Sequence, residues 1–291
     1  MMVLEMLTNL LRKTAFTVPL LGLCAIPVIV EIYSKLPARA SNFLLPIKDP
    51  VPLLPQSILE SQSQEVAVLF PGFGGPDMNT ERIINEMTKN GVTAYCYDWE
   101  DYRGNLFRAA SSGTEIGAQL GAALGAQLTS SESSVERVHF IGISVGSFAA
   151  NSCLESFVSS LNRKQKTKKK NSSNKETRKC STRATFLDPF TSKGVFGIGF
   201  GVRNFGRKAD YAEQYLNTDD PVPSTNEPCA ECHCFDITEC RDRADFVPLP
   251  DDNMHSWPAA YYGINYRNRI APQLASRSHA SFPRGRISKI A

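Results

Sequence analysis

The sequence predicts an α/β fold, with a mostly parallel central sheet and helices on both faces. Three observations point to it. The chain has 291 residues, 42% of them hydrophobic, enough to bury a full two-faced core in one large domain. Short apolar, β-rich runs alternate with helical patterns along it, as a covered parallel sheet requires. One such run, Arg137-Val138-His139-Phe140-Ile141-Gly142, ends in a tight glycine-serine turn. A small-residue helical pattern follows at once from Ser147.

The first strand is Glu65-Val66-Ala67-Val68-Leu69-Phe70, a short buried pattern that runs into Pro71-Gly72-Phe73-Gly74-Gly75. Glycines placed directly after a strand either make a plain turn or let backbone N–H groups face a ligand. A helix is expected from Glu81 to Lys89, capped by Asn79 or Thr80 and closed by Asn90-Gly91. Val92 to Trp99 reads as the next strand, and Thr114 to Leu128 as a helix of small residues. The run ending at Gly142 follows, then a helix from Ser147 to about Leu161. Thr185-Phe186-Leu187-Asp188 resumes the sheet and ends in a carboxylate. Asp210 to Pro223 reads as a further strand ending in acids.

Gly142-Ile143-Ser144-Val145-Gly146 has the G-x-S-x-G pattern of a nucleophile elbow, in the strand-turn-helix context that such an elbow needs. The turn lifts the Ser144 hydroxyl clear of the sheet. A Cβ at Gly142 or Gly146 would collide where helix and strand cross. Taken alone, the same pentapeptide also suits a βα turn with a capping serine. The chain order supplies partners: acid-tipped strands follow Ser144, and Met254-His255-Ser256-Trp257 then places a histidine in a loop. Serine, then aspartate, then histidine is the order in which a hydrolase elbow finds its triad.

Outside this domain the composition shifts. Residues 1–40 read as a signal peptide or membrane anchor. Arg12 and Lys13 precede an apolar run from Ala15 to Val30, and Ala38-Arg39-Ala40 offers a small-x-small cleavage site. That run of about sixteen residues is short of the roughly 20 that span a bilayer, which favours an export signal over an anchor. Either way the protein is expected to be secreted or membrane-anchored. Residues 41–64 form a proline-rich linker, 65–265 the domain and 266–291 a basic tail.

Residues 161–183 hold ten Lys or Arg and one Glu, a net of +9 against +3 for the whole chain, so the remainder carries −6. The protein is a mildly acidic domain with a basic insert, not a basic protein, and nucleic acid is not an expected partner. The insert reads as a disordered, solvated loop, or as a tether to an anionic membrane surface at about 1 kcal/mol per basic residue. Asn171-Ser172-Ser173 within it is a glycosylation sequon, usable only on a eukaryotic secretory route.

Cys96 and Cys153 are expected as buried thiols in a strand and a helix, while Cys24 falls in the N-terminal segment. Cys229, Cys232, Cys234 and Cys240, with His233 among them, could bind zinc. In an exported chain they are expected to oxidise to disulfides instead.

From Glu65 to Tyr262 the chain resembles the α/β-hydrolase superfamily, and within it the lipases of the pancreatic type. The match is carried by Phe70-Pro71-Gly72-Phe73-Gly74, the elbow from His139 to Gly146, Leu187-Asp188-Pro189, and Ala209-Asp210-Tyr211 leading to Asn217-Thr218-Asp219. His255 and the aromatics after it supply a fifth segment. The resemblance implies Ser144 as nucleophile, Asp188 as triad acid, His255 as base, and the backbone N–H groups of Phe73 and Val145 as oxyanion hole. Most α/β hydrolases take the acid from the strand nearer the histidine, where Asp220-Pro221-Val222-Pro223 fits, so Asp220 is the alternative acid. Residues 221–254 lie where related lipases carry a disulfide-bounded lid.

The expected function is hydrolysis of a carboxylic ester, with an ester or lipid substrate and no metal or organic cofactor. The rival activities are acyl transfer or thioester hydrolysis on the same fold. A catalytically silent binding module is the rival outside enzymes.

Overall fold

The computed structural model describes residues 26–32, 54–104, 108–128, 133–171, 180–248, 254–266 and 283–290. Most of the N-terminal segment, the start of the proline-rich linker, the basic stretch at 172–179 and most of the C-terminal tail lie outside the described residues.

Seven strands form one sheet, and every neighbouring pair is parallel. The strands are β1 (Glu65–Phe70), β2 (Thr93–Cys96), β3 (Arg137–Ile143), β4 (Ser181–Leu187), β5 (Tyr211–Leu216), β6 (His233–Asp236) and β7 (Ile287–Lys289). Their spatial order is β2-β1-β3-β4-β5-β6-β7. The chain moves outward from β1 to β2 and then returns to the other side of β1 with β3. The β1/β3 boundary is therefore the switch point, beyond whose carboxyl ends open α/β sheets leave a crevice.

Alternation along the strands explains the two cores. Val66, Val68, Phe70, Val138, Phe140, Ala184 and Phe186 face α5 (Ala109–Leu128) and α6 (Gly146–Asn171). Ala67, Leu69, Ile141, Leu187, Tyr215 and Phe235 face α3 (Met78–Lys89) and α8 (Trp257–Ile264). The predicted α/β class, a parallel sheet with helices on both faces, is what forms.

Several boundaries differ from the sequence reading. Helix α3 starts earlier because Asp77, not Asn79 or Thr80, is its cap and accepts from Thr80 N at 2.8 Å. Helix α6 continues through Asn171, so the first half of the basic segment is helical rather than a loop. The linker ends in a short helix, α2 (Gln56–Leu59), with Leu54 and Ile58 buried in the core; the other short helices are α1 (26–32), α4 (Glu100–Arg103) and α7 (Phe200–Asn204). The tail ends in β7, which pairs with β6 at the sheet edge.

The segment 221–254, expected as a lid-like loop, contributes β6 to the sheet. Nor are its cysteines oxidised: all four are free buried thiols. Cys229, Cys232 and Cys234 pack on the α5/α6 face of the sheet and Cys240 on the opposite face, so the fourth cannot pair with the other three. Cys234 donates to the carbonyls of Cys229 and Cys232 at 3.4 and 3.3 Å. Burial pushes the Cys232 and Cys234 thiols well up, so both are protonated. Cys153 is buried as expected and Cys96 only partly so. Among the described residues, no helix is long and apolar enough to cross a membrane.

Candidate functional site

The carboxyl ends of β1, β3, β4 and β5 bring the predicted residues to one edge of the sheet. Ser144 follows β3 with φ of 50°, a left-handed conformation that a non-glycine residue adopts only under local compulsion. Adjacent chain supplies that compulsion. A Cβ on Gly142 would lie 2.8 Å from Ser147 N, and one on Gly146 would lie 2.9 Å from the Phe70 carbonyl carbon. Strand and helix cross here as closely as the elbow pattern anticipates. Ser144 N donates to Leu187 O at 3.0 Å, which ties the elbow to the end of β4.

Ile143 is in register with Leu187, so Ser144 and Asp188 are the residues that directly follow the ends of two adjoining strands. Asp188 also has a left-handed φ, 45°, and is almost completely buried. Its N–H donates to Tyr215 O at 2.8 Å, and its Oδ1 accepts from Asn217 N at 3.4 Å.

His255 joins both acids. Its Nδ1 lies 3.0 Å from Asp188 Oδ2 and 2.7 Å from Asp220 Oδ2. With Nδ1 facing two carboxylate oxygens, the proton of the neutral ring belongs there, and it is in that neutral form that Nε2 holds the lone pair a base requires. Asp220 is itself held by Val222 N at 3.0 Å and Thr225 Oγ1 at 2.9 Å. The sequence reading assigned one acid and one alternative. The structure puts both on the same imidazole nitrogen, and the alternative makes the shorter contact.

The electrostatics follow from this crowding. Burial pulls the His255 pKa down, but hydrogen bonds and charge from the two aspartates outweigh it and push it up to about 10. Burial pushes Asp188 up to about 7; the favourable contact with His255 opposes this, and Asp220 adds to the rise. Asp220 ends below its ordinary value, because contacts from His255, Val222 and Asp188 overcome its burial. The ionised carboxylate is therefore Asp220 first. The same three side chains bring one nitrogen and two carboxylate oxygens within 4.8 Å of one another, a donor set that suits a divalent cation. A proton shared at Nδ1 satisfies the same charge.

The loop after β1 closes the site on the other side of Ser144. A Cβ on Gly72 would lie 3.2 Å from Ser144 Cβ, so the backbone there passes directly beside the serine. Gly72 O accepts from Gly75 N at 3.1 Å. In the trans peptide joining Gly72 to Phe73, the Phe73 N–H therefore points away from that turn. Val145, whose N–H is the other expected donor, is buried at the start of α6.

Two residues outside the sequence reading hold this loop. Trp99 Nε1 donates to Pro71 O at 3.0 Å, and Arg103 Nη1 donates to Phe73 O at 3.0 Å while its Nε binds Asp98. A third, Asn217, donates from Nδ2 to Met254 O at 3.2 Å and fixes the loop that carries His255. Nothing local marks Trp99 or Arg103, since their partners lie 28 and 30 residues away. Asn217 stood in a motif already singled out, but without a role. No protein-family model matches the chain, and no curated protein matches it.

Proposed function

We propose that the chain is a serine hydrolase of the α/β-hydrolase type that cleaves carboxylic esters, with lipid esters as its substrate class. One observation carries the reading. A serine in a strained left-handed elbow stands beside an aspartate whose carboxylate holds the imidazole of a histidine. The switch-point position and the glycine-lined backbone beside Ser144 support it.

In this mechanism Ser144 Oγ attacks the ester carbonyl as His255 Nε2 takes its proton. The tetrahedral oxyanion is held by the N–H groups of Phe73 and Val145, each worth roughly 3 kcal/mol of barrier. Collapse expels the alcohol with the proton returned by His255 and leaves an acyl-serine. Water, activated by the same imidazole, then releases the acid. The carboxylates stabilise the imidazolium that forms in each half-reaction.

The test is a fluorophosphonate probe on the full chain. It should label Ser144, and Ser144→Ala should lose both the label and turnover of a soluble activated ester while keeping its thermal transition. Labelling at another serine, or undiminished turnover by the alanine variant, would defeat the reading.

A further inference from the structure

The helix at 26–32, α1, turns an apolar face outward. Its inner side is made by Pro27, Val30 and Glu31; Glu31 is buried, and its Oε2 accepts a hydrogen bond from Phe196 N at 2.9 Å. Its outer side is Ile26, Val28, Ile29 and Ile32, each at least 49% exposed. A helix lying on a protein in water shows the opposite pattern, with polar residues outward. Beyond the Glu31–Phe196 contact the apolar surface continues on the loop after β4, where Val195, Phe196 and Ile198 are exposed.

That loop belongs to the site's edge of the sheet. It leaves directly from Asp188 and is bound to the turn after Asp220, with Thr191 N donating to Ser224 O at 2.9 Å and Ser192 pairing with Ser224 at 2.8 Å. Seven exposed aliphatic or aromatic side chains from two distant segments thus adjoin beside the candidate site. A patch of that kind marks an interaction surface.

We propose that this surface docks on a lipid bilayer and sets the mouth of the site at the lipid–water boundary, with the N-terminal segment retained. The bilayer is favoured over a second copy of the chain by what precedes α1. The sequence from Ala15 to Ala25 continues without a charge, and Arg12 and Lys13 stand at its far end, suited to a headgroup layer. The acid of α1 is turned inward to Phe196, so it does not face the lipid. Cleavage after Ala40 would discard α1 and its contact with the loop, so the docked protein keeps its N-terminus. The surface does not depend on the chemistry of Ser144.

The experiment uses the full chain and vesicles of phosphatidylcholine with brominated acyl chains. Tryptophan is placed singly at Ile29, at Phe196, and at Asn90, which closes α3 at the opposite edge of the sheet; the native Trp99 and Trp257 are buried. The protein should float with the vesicles at low and high salt. Emission from Ile29→Trp and Phe196→Trp should be quenched, and that from Asn90→Trp should not. The double variant Phe196→Asp, Ile198→Asp should weaken partitioning by at least about tenfold.

Failure to float overturns the proposal. So does quenching at Ile29 alone, which would detach α1 from the loop, and so does flotation lost at high salt, which would assign binding to the basic segment. Concentration-dependent self-association that shields both tryptophans without vesicles would make a second copy the occupant. If flotation and quenching hold while the fluorophosphonate never labels Ser144, the hydrolase reading falls and the docking surface stands.

Discussion

Replacing Asp220 by asparagine should shift activity toward lower pH. In the proposed mechanism His255 is the general base and must be neutral in the free protein, so the acidic limb of kcat/KM follows its pKa. Two carboxylate oxygens within 3.0 Å of Nδ1 hold that pKa at about 10, against an ordinary 6.5, and the wild type should therefore be most active on the alkaline side. A carboxylate this close is worth about 1–3 pKa units. Asp220 stays ionised throughout the neutral range, so Asp220→Asn removes a full charge there. The limb should fall by about 1–3 units, and at neutral pH the fraction of neutral imidazole should rise about 10- to 1000-fold.

Against this stands lost orientation. An amide replacing the lone acid of a serine-protease triad lowers turnover by about 10⁴. Here Asp188 still holds the ring at 3.0 Å, so the loss should be far smaller. Asp188→Asn should differ in a specific way. Because Asp188 takes up a proton near pH 7, that variant and the wild type should converge below neutrality. The assay is kcat/KM on one soluble activated ester from mildly acidic to alkaline pH, for wild type and both variants. A limb that does not move in Asp220→Asn, or a wild-type limb near 6.5, would refute the shared-imidazole account.

Two further outcomes can be checked by thermal unfolding. Gly121→Ala should destabilise the fold by about 1–3 kcal/mol, because its Cβ would lie 2.8 Å from the Cys153 carbonyl carbon and force α5 from α6; a Tm drop of roughly 3–10 °C is expected, and an unchanged Tm would contradict it. The raised His255 pKa contributes stability that is fully present below about 6.5 and is lost as pH rises through about 10, while the raised Asp188 pKa adds a loss between about 3.8 and 7. The wild-type Tm should therefore fall from mildly acidic to alkaline pH, and the fall above neutrality should be shallower in Asp220→Asn; a Tm that rises with pH would reverse the sign.

The strands were legible because burial on both faces leaves continuous apolar runs, as at Glu65–Phe70 and Arg137–Ile143. β7 was not, since it is a three-residue edge strand inside a basic segment and pairs along one side only. β6 was hidden for a different reason. Its residues, His233-Cys234-Phe235-Asp236, read as part of a redox or metal motif, yet three of the cluster's cysteines serve as small apolar side chains in a core that forms only once β5 and α6 are in place. Cysteine spacing carries no information about which face of a sheet a thiol will meet. Burial on opposite faces excludes a disulfide between Cys240 and the others, whatever the redox compartment.

The elbow was legible for the opposite reason, since its requirements are local. Gly142, Ser144 and Gly146 fall within five residues, and the collisions that demand glycine involve chain only a few residues off or the neighbouring strand. The acid was not, because its identity depends on where His255 arrives after a connection of more than thirty residues from Asp220. Asp188 is fixed one step from Ser144 by the β3–β4 register, and Asp220 is fixed by its own turn through Val222 and Thr225. Each is well placed alone, and sequence can only rank them. Asn217 resolves the competition. Its backbone N–H binds Asp188 while its side chain holds Met254 O, so the one residue sets the buried acid and the histidine loop together. Asp220, three residues further along the same turn, then reaches the same nitrogen. A ring held from both sides needs no choice of acid. Two neighbouring carboxylates cannot both stay ionised at low cost. That repulsion adds to the burial that raises Asp188, and the pair of acids keeps the imidazole basic.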